Sequence, residues 1–581
     1  MNLHVILDKR HFKRNFDLDD LIVVNDNFNF KPEVKIFNVD EVYFDEDKQF
    51  DYSQKILELF KKFDKTLFSY TNNFYTNTYL PLLKVINTIE ILVENNNINK
   101  IFLYGGSNEV EFIPYYFAEG ETQKIFLYES PMYMNYYLYK YFKKNHNIIF
   151  KEKDSILKIN TFKLTRRYLF LVFKFLYMFL FHFNISKKTE NLNYSFSNNK
   201  KNIVFPVRNI AQVTSIENLY QFLRKNEKYN PVFFVYERVL SHQSNTTNYL
   251  KEQNYNTLQI YKDAPIYKTI CKSFANVFKN IFHTNKTVSN TIFSIKELSN
   301  EIYLMNFEKE VYSLLLESKL SKFSTSIDLL ISTEIKSPEA FIENRLANKH
   351  GIKSYNLQAQ SIMKRPLPTF SMNGTFLFEN LIDYKYFNKF PYPDKESMEF
   401  IGSFKYFNLI ENKFIPINNK KKIIYFTQNH EHENQSKIIN TIIDNLLKDQ
   451  ILYIKKHPRD NTVYDNFINN KNVFLEKRLD LNVIIQDIDI VISRTTTLLL
   501  DAILYKKIVI AIVLSSFDKN GQQVYINCDY INIIYTLDEL NNFNDRCIDY
   551  NIKYNFNRIT SDLYSSSNFT KNFCKVFNET I

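Results

Sequence analysis

Leu452-Tyr453-Ile454-Lys455-Lys456-His457-Pro458-Arg459-Asp460 and Asp489-Ile490-Val491-Ile492-Ser493-Arg494-Thr495-Thr496-Thr497-Leu498-Leu499-Leu500-Asp501 are the stretches whose reading decides the fold. Each opens as a short apolar, largely β-branched run, which predicts a buried strand of a parallel sheet. Each then breaks into polar residues where the strand should stop. In open α/β sheets ligands bind just beyond the carboxyl ends of the strands, so both breaks are candidate site positions.

The two endings offer different chemistry. Pro458 cannot continue a ladder and biases His457 to extended backbone, which leaves the imidazole at the sheet's edge among Lys455, Lys456 and Arg459. In the second stretch Ser493 and Thr495 suit the N-cap of a helix over Thr496–Tyr505. A helix start presents free N–H groups and partial positive charge, and the hydroxyls of Ser493, Thr495, Thr496 and Thr497 add donors. Together they predict a cradle for a nucleotide phosphate.

The order strand-Lys-His-Pro, then Asp-apolar-apolar-Ser-x-Thr-Thr, a Leu-rich helix carrying Asp501, and Lys506-Lys507-Ile508-Val509-Ile510 resembles the donor half of GT-B glycosyltransferases. It is similar in particular to bacterial surface-polysaccharide enzymes: capsule sialyl- and polysialyltransferases, Kdo transferases and CDP-glycerol glycerophosphotransferases. The resemblance covers Lys421–Asp529 well and Asp328–Phe404 loosely, and says little about residues 1–190. It implies two facing Rossmann-like parallel-sheet domains, with an additional N-terminal α/β region in this chain. It also implies a nucleotide-sugar donor, with CMP-activated sugars such as sialic acid or Kdo first and CDP-glycerol or UDP-sugars next. The acceptor would be a hydroxyl of a bacterial surface glycan, free or lipid-linked.

Glycine is the most discriminating count. The chain has 7, and neither GxGxxG nor GxxxxGK[ST] can be written from them, which excludes the usual dinucleotide-binding and P-loop signatures. Phosphate contacts must come from side chains and helix starts. The formal net charge of +11 is mostly dispersed Lys, with no arginine-rich tract or zinc-finger spacing, so nucleic acid is not the expected partner. The 4 cysteines lie far apart without a CxxC pair. They suggest neither a zinc site nor a disulfide framework, and a reducing, cytoplasmic setting is expected. The N-terminus lacks a signal-peptide pattern and reads as a strand.

Along the chain, residues 1–160 alternate strands (His4–Leu7, Val34–Phe37, Lys100–Tyr104, Lys124–Leu127) with helices (Tyr52–Phe63, Thr78–Glu94), a small parallel α/β region. Gly105-Gly106-Ser107-Asn108 forms its one notable turn. Residues 161–200 hold an aromatic-rich segment from Tyr168 to Phe183, flanked by Arg166-Arg167 and Lys187-Lys188, and then a Ser/Asn linker. The apolar run, about sixteen residues, falls short of the ~20 that a spanning helix needs. It fits a helix lying in a bilayer interface, peripheral at the inner face of the cytoplasmic membrane, or a buried inter-domain helix.

Residues 201–411 form a second βα series, the acceptor-side domain, with strands predicted at Asn202–Pro206, Pro231–Tyr236, Thr257–Tyr261, Ile327–Ser332, Ile352–Leu357, Thr375–Asn380 and Glu399–Ser403. Ser337-Pro338 is an N-cap and first-turn pair for a helix ending before Gly351. Residues 412–581 form the donor domain with C-terminal helices. It starts at Ile423–Phe426 and the loop Thr427-Gln428-Asn429-His430-Glu431-His432-Glu433. The i, i+2 histidine pair is a weak metal signature, and a first βα loop facing donor phosphates is the better reading.

Glycosyl transfer needs a base for the acceptor hydroxyl and charge stabilisation for the leaving nucleotide. Glu334, after a strand of the acceptor side, is the candidate base, with Asp328 and Glu339 as runners-up. His457 is the candidate catalytic group on the donor side. Thr427, Gln428, His430, Lys456, Pro458, Arg459, Ser493, Thr495, Thr496 and Asp501 are candidate donor contacts. The resulting expectation is an inverting, metal-independent, cofactor-free transferase. The alternatives are a CDP-glycerol-type phosphotransferase or a UDP-sugar 2-epimerase on the same plan, and, outside enzymes, a basic scaffold or nucleic-acid-binding protein. Where the resembling families show Gln-His-Gly, this chain has Gln358-Ala359-Gln360-Ser361.

Overall fold

Apolar runs bounded by polar breaks give eighteen strands among the described residues, and every described pairing between them is parallel. The structure is a computed structural model. It describes residues 1–6, 16–17, 19–24, 35–39, 46–61, 68, 71–75, 79–104, 134–151, 169, 172–173, 175–180, 194–236, 246–283, 307–333, 337–358, 366–370, 374–393, 397–403, 422–428, 432–457, 460, 462–478, 481–494, 496–514, 518 and 531–564.

The strands sort into three sheets in chain order. The first has 5: β1 (Asn2–Ile6), β2 (Leu21–Val24), β3 (Lys35–Asn38), β4 (Lys100–Tyr104) and β5 (Ile148–Lys151), ordered β3-β2-β1-β4-β5. The second has 7: β6 (Lys201–Val207), β7 (Tyr229–Val235), β8 (Thr257–Gln259), β9 (Leu329–Ser332), β10 (Lys353–Leu357), β11 (Thr375–Phe378) and β12 (Met398–Phe400), ordered β12-β11-β10-β9-β6-β7-β8. The third has 6: β13 (Lys422–Phe426), β14 (Ile451–Lys455), β15 (Val473–Leu475), β16 (Ile490–Ser493), β17 (Ile508–Ile512) and β18 (Asn532–Ile534), ordered β15-β14-β13-β16-β17-β18. Each sheet starts in the middle, winds out one way, then crosses back and winds out the other. The winding reverses between β1 and β4, β6 and β9, and β13 and β16, and that reversal opens a crevice at the strands' carboxyl ends. This is an α/β, GT-B-like architecture: two Rossmann-like sheets, the second and third, with an additional α/β region before them.

Burial on both faces explains why the central strands are apolar throughout. β9, β16 and β17 are buried at every residue, as a parallel sheet covered on both sides requires. The helices that matter for the site are α1 (Glu46–Lys61), α2 (Ile210–Lys225), α3 (Ile266–His283), α4 (Phe307–Phe323), α5 (Pro338–Lys349), α6 (Leu381–Asn388), α7 (His432–Asp444), α8 (Leu498–Leu504) and α9 (Ile552–Tyr564). The sequence reading of α5 holds: Ser337 accepts from Ala340 N–H at 3.3 Å, Pro338 opens the helix, and Gly351 follows it at φ 71°. β2, β5, β15 and β18, each three or four residues long, were not foreseen. The expected strand Lys124–Leu127 and the turn at Gly105–Asn108 lie outside the described residues.

The first and second sheets share one continuous apolar core, running from Leu3 and Ile86 through Val204 and Phe234 to Leu315. Polar stitches add to it: Asn72 and the backbone of Thr369 bond in both directions at 2.7 and 3.2 Å, and Phe50 on α1 stacks on Phe390 at 5.3 Å. The third sheet has a core of its own. It meets the second through α9, which packs on α6, and through Ile382, which reaches that core from α6.

Candidate functional site

At the carboxyl edge of the third sheet, Phe426 lies in register with both Lys455 and Ser493. The chain therefore leaves the sheet at one level as Thr427 after β13, Lys456-His457 after β14 and Arg494 after β16. Two hydrogen bonds fix the three tips to one another. The Ser493 hydroxyl donates to the Phe426 carbonyl at 2.9 Å, and the His457 backbone N–H donates to Thr427 Oγ1 at 3.0 Å. With neighbouring strands about 4.8 Å apart, the outer two tips flank the reversal point within one small ligand's width. His457 and Lys456 are half-buried there, with the Lys456 ammonium 5.8 Å from the centre of the Tyr464 ring.

Asp460 is the hub beneath His457. Its carboxylate, 4% exposed, accepts from Thr427 Oγ1 at 2.6 Å, Tyr464 Oη at 2.8 Å and Thr462 N–H at 2.9 Å, while its own N–H donates to the His457 carbonyl at 2.9 Å. Burial alone would raise its pKa. The hydrogen bonds from Thr427, Thr462 and Tyr464 outweigh that and hold the carboxyl below its ordinary value. Tyr464 is shifted the other way, upward, by burial and by donating to this carboxylate. The Thr427 hydroxyl is thus fully engaged, donating to Asp460 and accepting from His457, so it positions the loop. Gln428 is clamped by Gln435 of α7, whose amide accepts from the Gln428 N–H and donates to its carbonyl, both at 2.6 Å.

The helix after β16 starts later than expected. It runs Leu498–Leu504, with Thr497 at the cap position in helical backbone and no side-chain capping bond. Ser493 is therefore not its N-cap. Its hydroxyl is fully buried and spent on the neighbouring strand, at the Phe426 carbonyl. Thr496 Oγ1 accepts from Leu498 N–H at 3.4 Å, and Asp501 lies half-buried on α8. Lys455 turns away, toward the Arg478 carbonyl. Arg494 is wholly buried and donates from Nε to Asp518 at 2.7 Å, while Asp518 accepts from Leu514 N–H at 3.0 Å. This ion pair ties the end of β16 to the segment after β17. His430, Pro458, Arg459 and Thr495 lie outside the described residues.

The second sheet's edge carries a denser network. Arg208, the first residue after β6, is buried and donates to Glu343 of α5, which also accepts from Tyr312 Oη at 2.6 Å and from Ser332 at the end of β9. Gln358 after β10 donates to Asp383 and accepts from Glu379 N–H at 3.1 Å, and Ser403 donates to Glu379 at 3.1 Å. Asp328, expected near the acceptor, sits at the opposite end. It precedes β9, is exposed, and accepts from Asn202 N–H at 2.8 Å at the start of β6. A residue one strand length upstream cannot reach the carboxyl edge. Glu339 is buried in the first turn of α5; Glu334 lies outside the described residues.

Sequence reasoning missed Arg208, Glu343, Gln435, Asp460 and Asp518. Of these only Asp460 left a signal, two residues past the His-Pro pair.

No family model matches the chain, and no curated protein matches it. Among solved structures, it is similar to the UDP-GlcNAc 2-epimerase from Neisseria meningitidis bound to UDP-GlcNAc, at 12% identity over 65% of this chain and 99% of that one, TM-score 0.43. It is also similar to a glycosyltransferase from Rickettsia africae, at 10% identity over 66% and 100% respectively, TM-score 0.41. At that distance no residue's role passes from either to this chain.

Proposed function

We propose that the protein is a GT-B-type glycosyltransferase that moves a sugar from a nucleotide-activated donor to a glycan hydroxyl. The observation that carries this reading is the bonding of the β14 and β16 tips to consecutive residues at the end of β13, Phe426 and Thr427, which sets a half-buried imidazole and an ammonium one strand from the reversal point of the third sheet. That arrangement suits a donor diphosphate or monophosphate, whose departing negative charge His457 and Lys456 would stabilise. Thr427, Gln428, Pro458, Arg459, Ser493, Thr495, Thr496 and Asp501 complete the donor side, with His430 on the first loop. Ser493 and Thr427 act by fixing the tips.

The acceptor hydroxyl would lie toward the second sheet, with Glu334 taking its proton. Attack opposite to the departing phosphate inverts the anomeric centre, and no metal is called on. The donor is a CMP-sugar first, with CDP-glycerol and UDP-sugars next. The acceptor is a bacterial capsule or lipopolysaccharide glycan met at the inner face of the cytoplasmic membrane.

The test is turnover. The purified chain is incubated with CMP-, CDP- and UDP-activated donors and a glycan acceptor, and free nucleotide and product anomer are followed. Acceptor-dependent release, lost in His457→Ala, is the expected result. Conversion of a UDP-sugar to its 2-epimer without acceptor would assign the chain to epimerases instead.

A further inference from the structure

The helical residues between 169 and 180 have two unlike faces. Met178 is fully buried in the core shared by the first two sheets, the Phe175 ring centre lies 4.6 Å from that of Phe274, and Phe179 lies 4.5 Å from Tyr267. These contacts seat the segment on α3. The opposite face holds Leu169 (64% exposed), Phe173 (59%), Leu176 (52%) and Leu180 (67%), with Val172 and Tyr177 at its margins. The spacing of these residues keeps them on one stripe of a helix. A contiguous apolar stripe held open to solvent by its own buried side marks a binding surface.

The charge beside it says what it binds. The solvent side of α3 carries Tyr267, Lys268, Lys272 and Lys279, and α3 has no Asp or Glu. The sequence from Ser155 to Thr189 also lacks acidic residues, while Arg166, Arg167, Lys187 and Lys188 bracket the stripe. A protein partner is usually met by cations and carboxylates mixed. Asn276 of α3 donates to Glu310 of α4 at 2.9 Å, but the charges that α3 itself carries beside the stripe are all lysines. Bulky apolar side chains next to such a face match an anionic bilayer, with the stripe among the acyl chains and the ammonium groups at headgroup phosphates.

We propose that the 169–180 stripe and the lysine face of α3 together form a docking surface for an anionic membrane. It lies in the interface, since among the described residues no helix is long and apolar enough to cross one. It uses elements separate from the donor edge, so it stands or falls apart from the transferase reading.

The chain has no tryptophan, so Phe173→Trp makes a single reporter. With phosphatidylcholine vesicles containing phosphatidylglycerol, its emission should shift to the blue and be quenched by brominated acyl chains, and the protein should sediment with the vesicles. Added salt or pure phosphatidylcholine should weaken this roughly tenfold or more. Leu176→Glu with Leu180→Glu should abolish it, as should Lys268→Glu with Lys272→Glu, each with an unchanged melting temperature. Emission indifferent to vesicles would overturn the proposal. So would undiminished sedimentation of both double variants, or a vesicle-free dimer that Leu176→Glu dissociates, which would give the face to a second copy of the chain.

Discussion

The carboxyl edges of the second and third sheets share a topology and differ in what they leave available. Both bury an arginine directly after a strand at the reversal point, Arg208 after β6 and Arg494 after β16, and both pair it with a buried carboxylate, Glu343 and Asp518. Around Arg208 the hydrogen bonds run between side chains: Glu343 takes three donors from three elements, and Gln358 joins Asp383 to the Glu379 backbone past the neighbouring strands. Around Arg494 the network instead holds backbone. Thr427, Asp460 and Gln435 anchor the loops and leave the His457 and Lys456 side chains half-buried at the edge. One winding thus gives a locked floor in the second sheet and a fitted rim in the third. Under the proposed function, the rim is where the donor's phosphate would sit.

Breaking each edge should therefore have different consequences. The largest effect is expected at Glu343. Glu343→Ala strands a buried guanidinium and should cost about 3–5 kcal/mol in denaturant unfolding; a loss under about 1 kcal/mol would show that the second edge is not locked. Thr427→Val removes the donor to Asp460 and the acceptor for His457, at about 1–3 kcal/mol. Unlike Glu343→Ala, its folded fraction should bind nucleotide more weakly. Thr427→Ser should restore both, and equal loss in both variants would separate the hydroxyl from the rim.

Asp460 gives the rim an acid limb. Its folded pKa lies below the ordinary carboxylate value, so its stabilising contribution is complete above that value, near pH 4, and is lost as pH falls through the folded pKa. Asp460→Asn should flatten this part of the stability–pH curve, and a curve of unchanged shape would contradict the assignment. The smallest effect is expected at Ser337→Ala, about 1 kcal/mol from the cap of α5, with nucleotide binding untouched.

The third sheet was the legible part. Ile423–Phe426, Ile451–Lys455, Ile490–Ser493 and Ile508–Ile512 are apolar runs ending in polar breaks, so strands and edge could be read together. β15 and β18, three residues each, carry too little pattern to separate from loops. The buried carboxylates were illegible for another reason. Glu343 stands mid-helix and Asp518 well past β17, where a sequence offers every reason to place a solvated charge; only the arginines that the winding brings to them make burial tolerable. Asp328 could have been set aside from the sequence, because it is the second residue of the expected strand Ile327–Ser332 and so opens the strand at the amino edge. The aromatic segment supported two readings because it has two faces, one packed on α3 and one exposed.

The most direct test of the donor edge is the melting temperature of the wild-type chain and of His457→Ala, each with CMP, CDP, UDP or GDP in excess. A ligand at about a hundred times its Kd adds roughly 2.7 kcal/mol to the native state. One of the pyrimidine nucleotides should therefore raise the wild-type transition by several degrees and leave His457→Ala unmoved, with the two proteins melting alike when free. A wild-type transition indifferent to all four, or a shift that His457→Ala keeps in full, would contradict a nucleotide site at the tips of β13, β14 and β16.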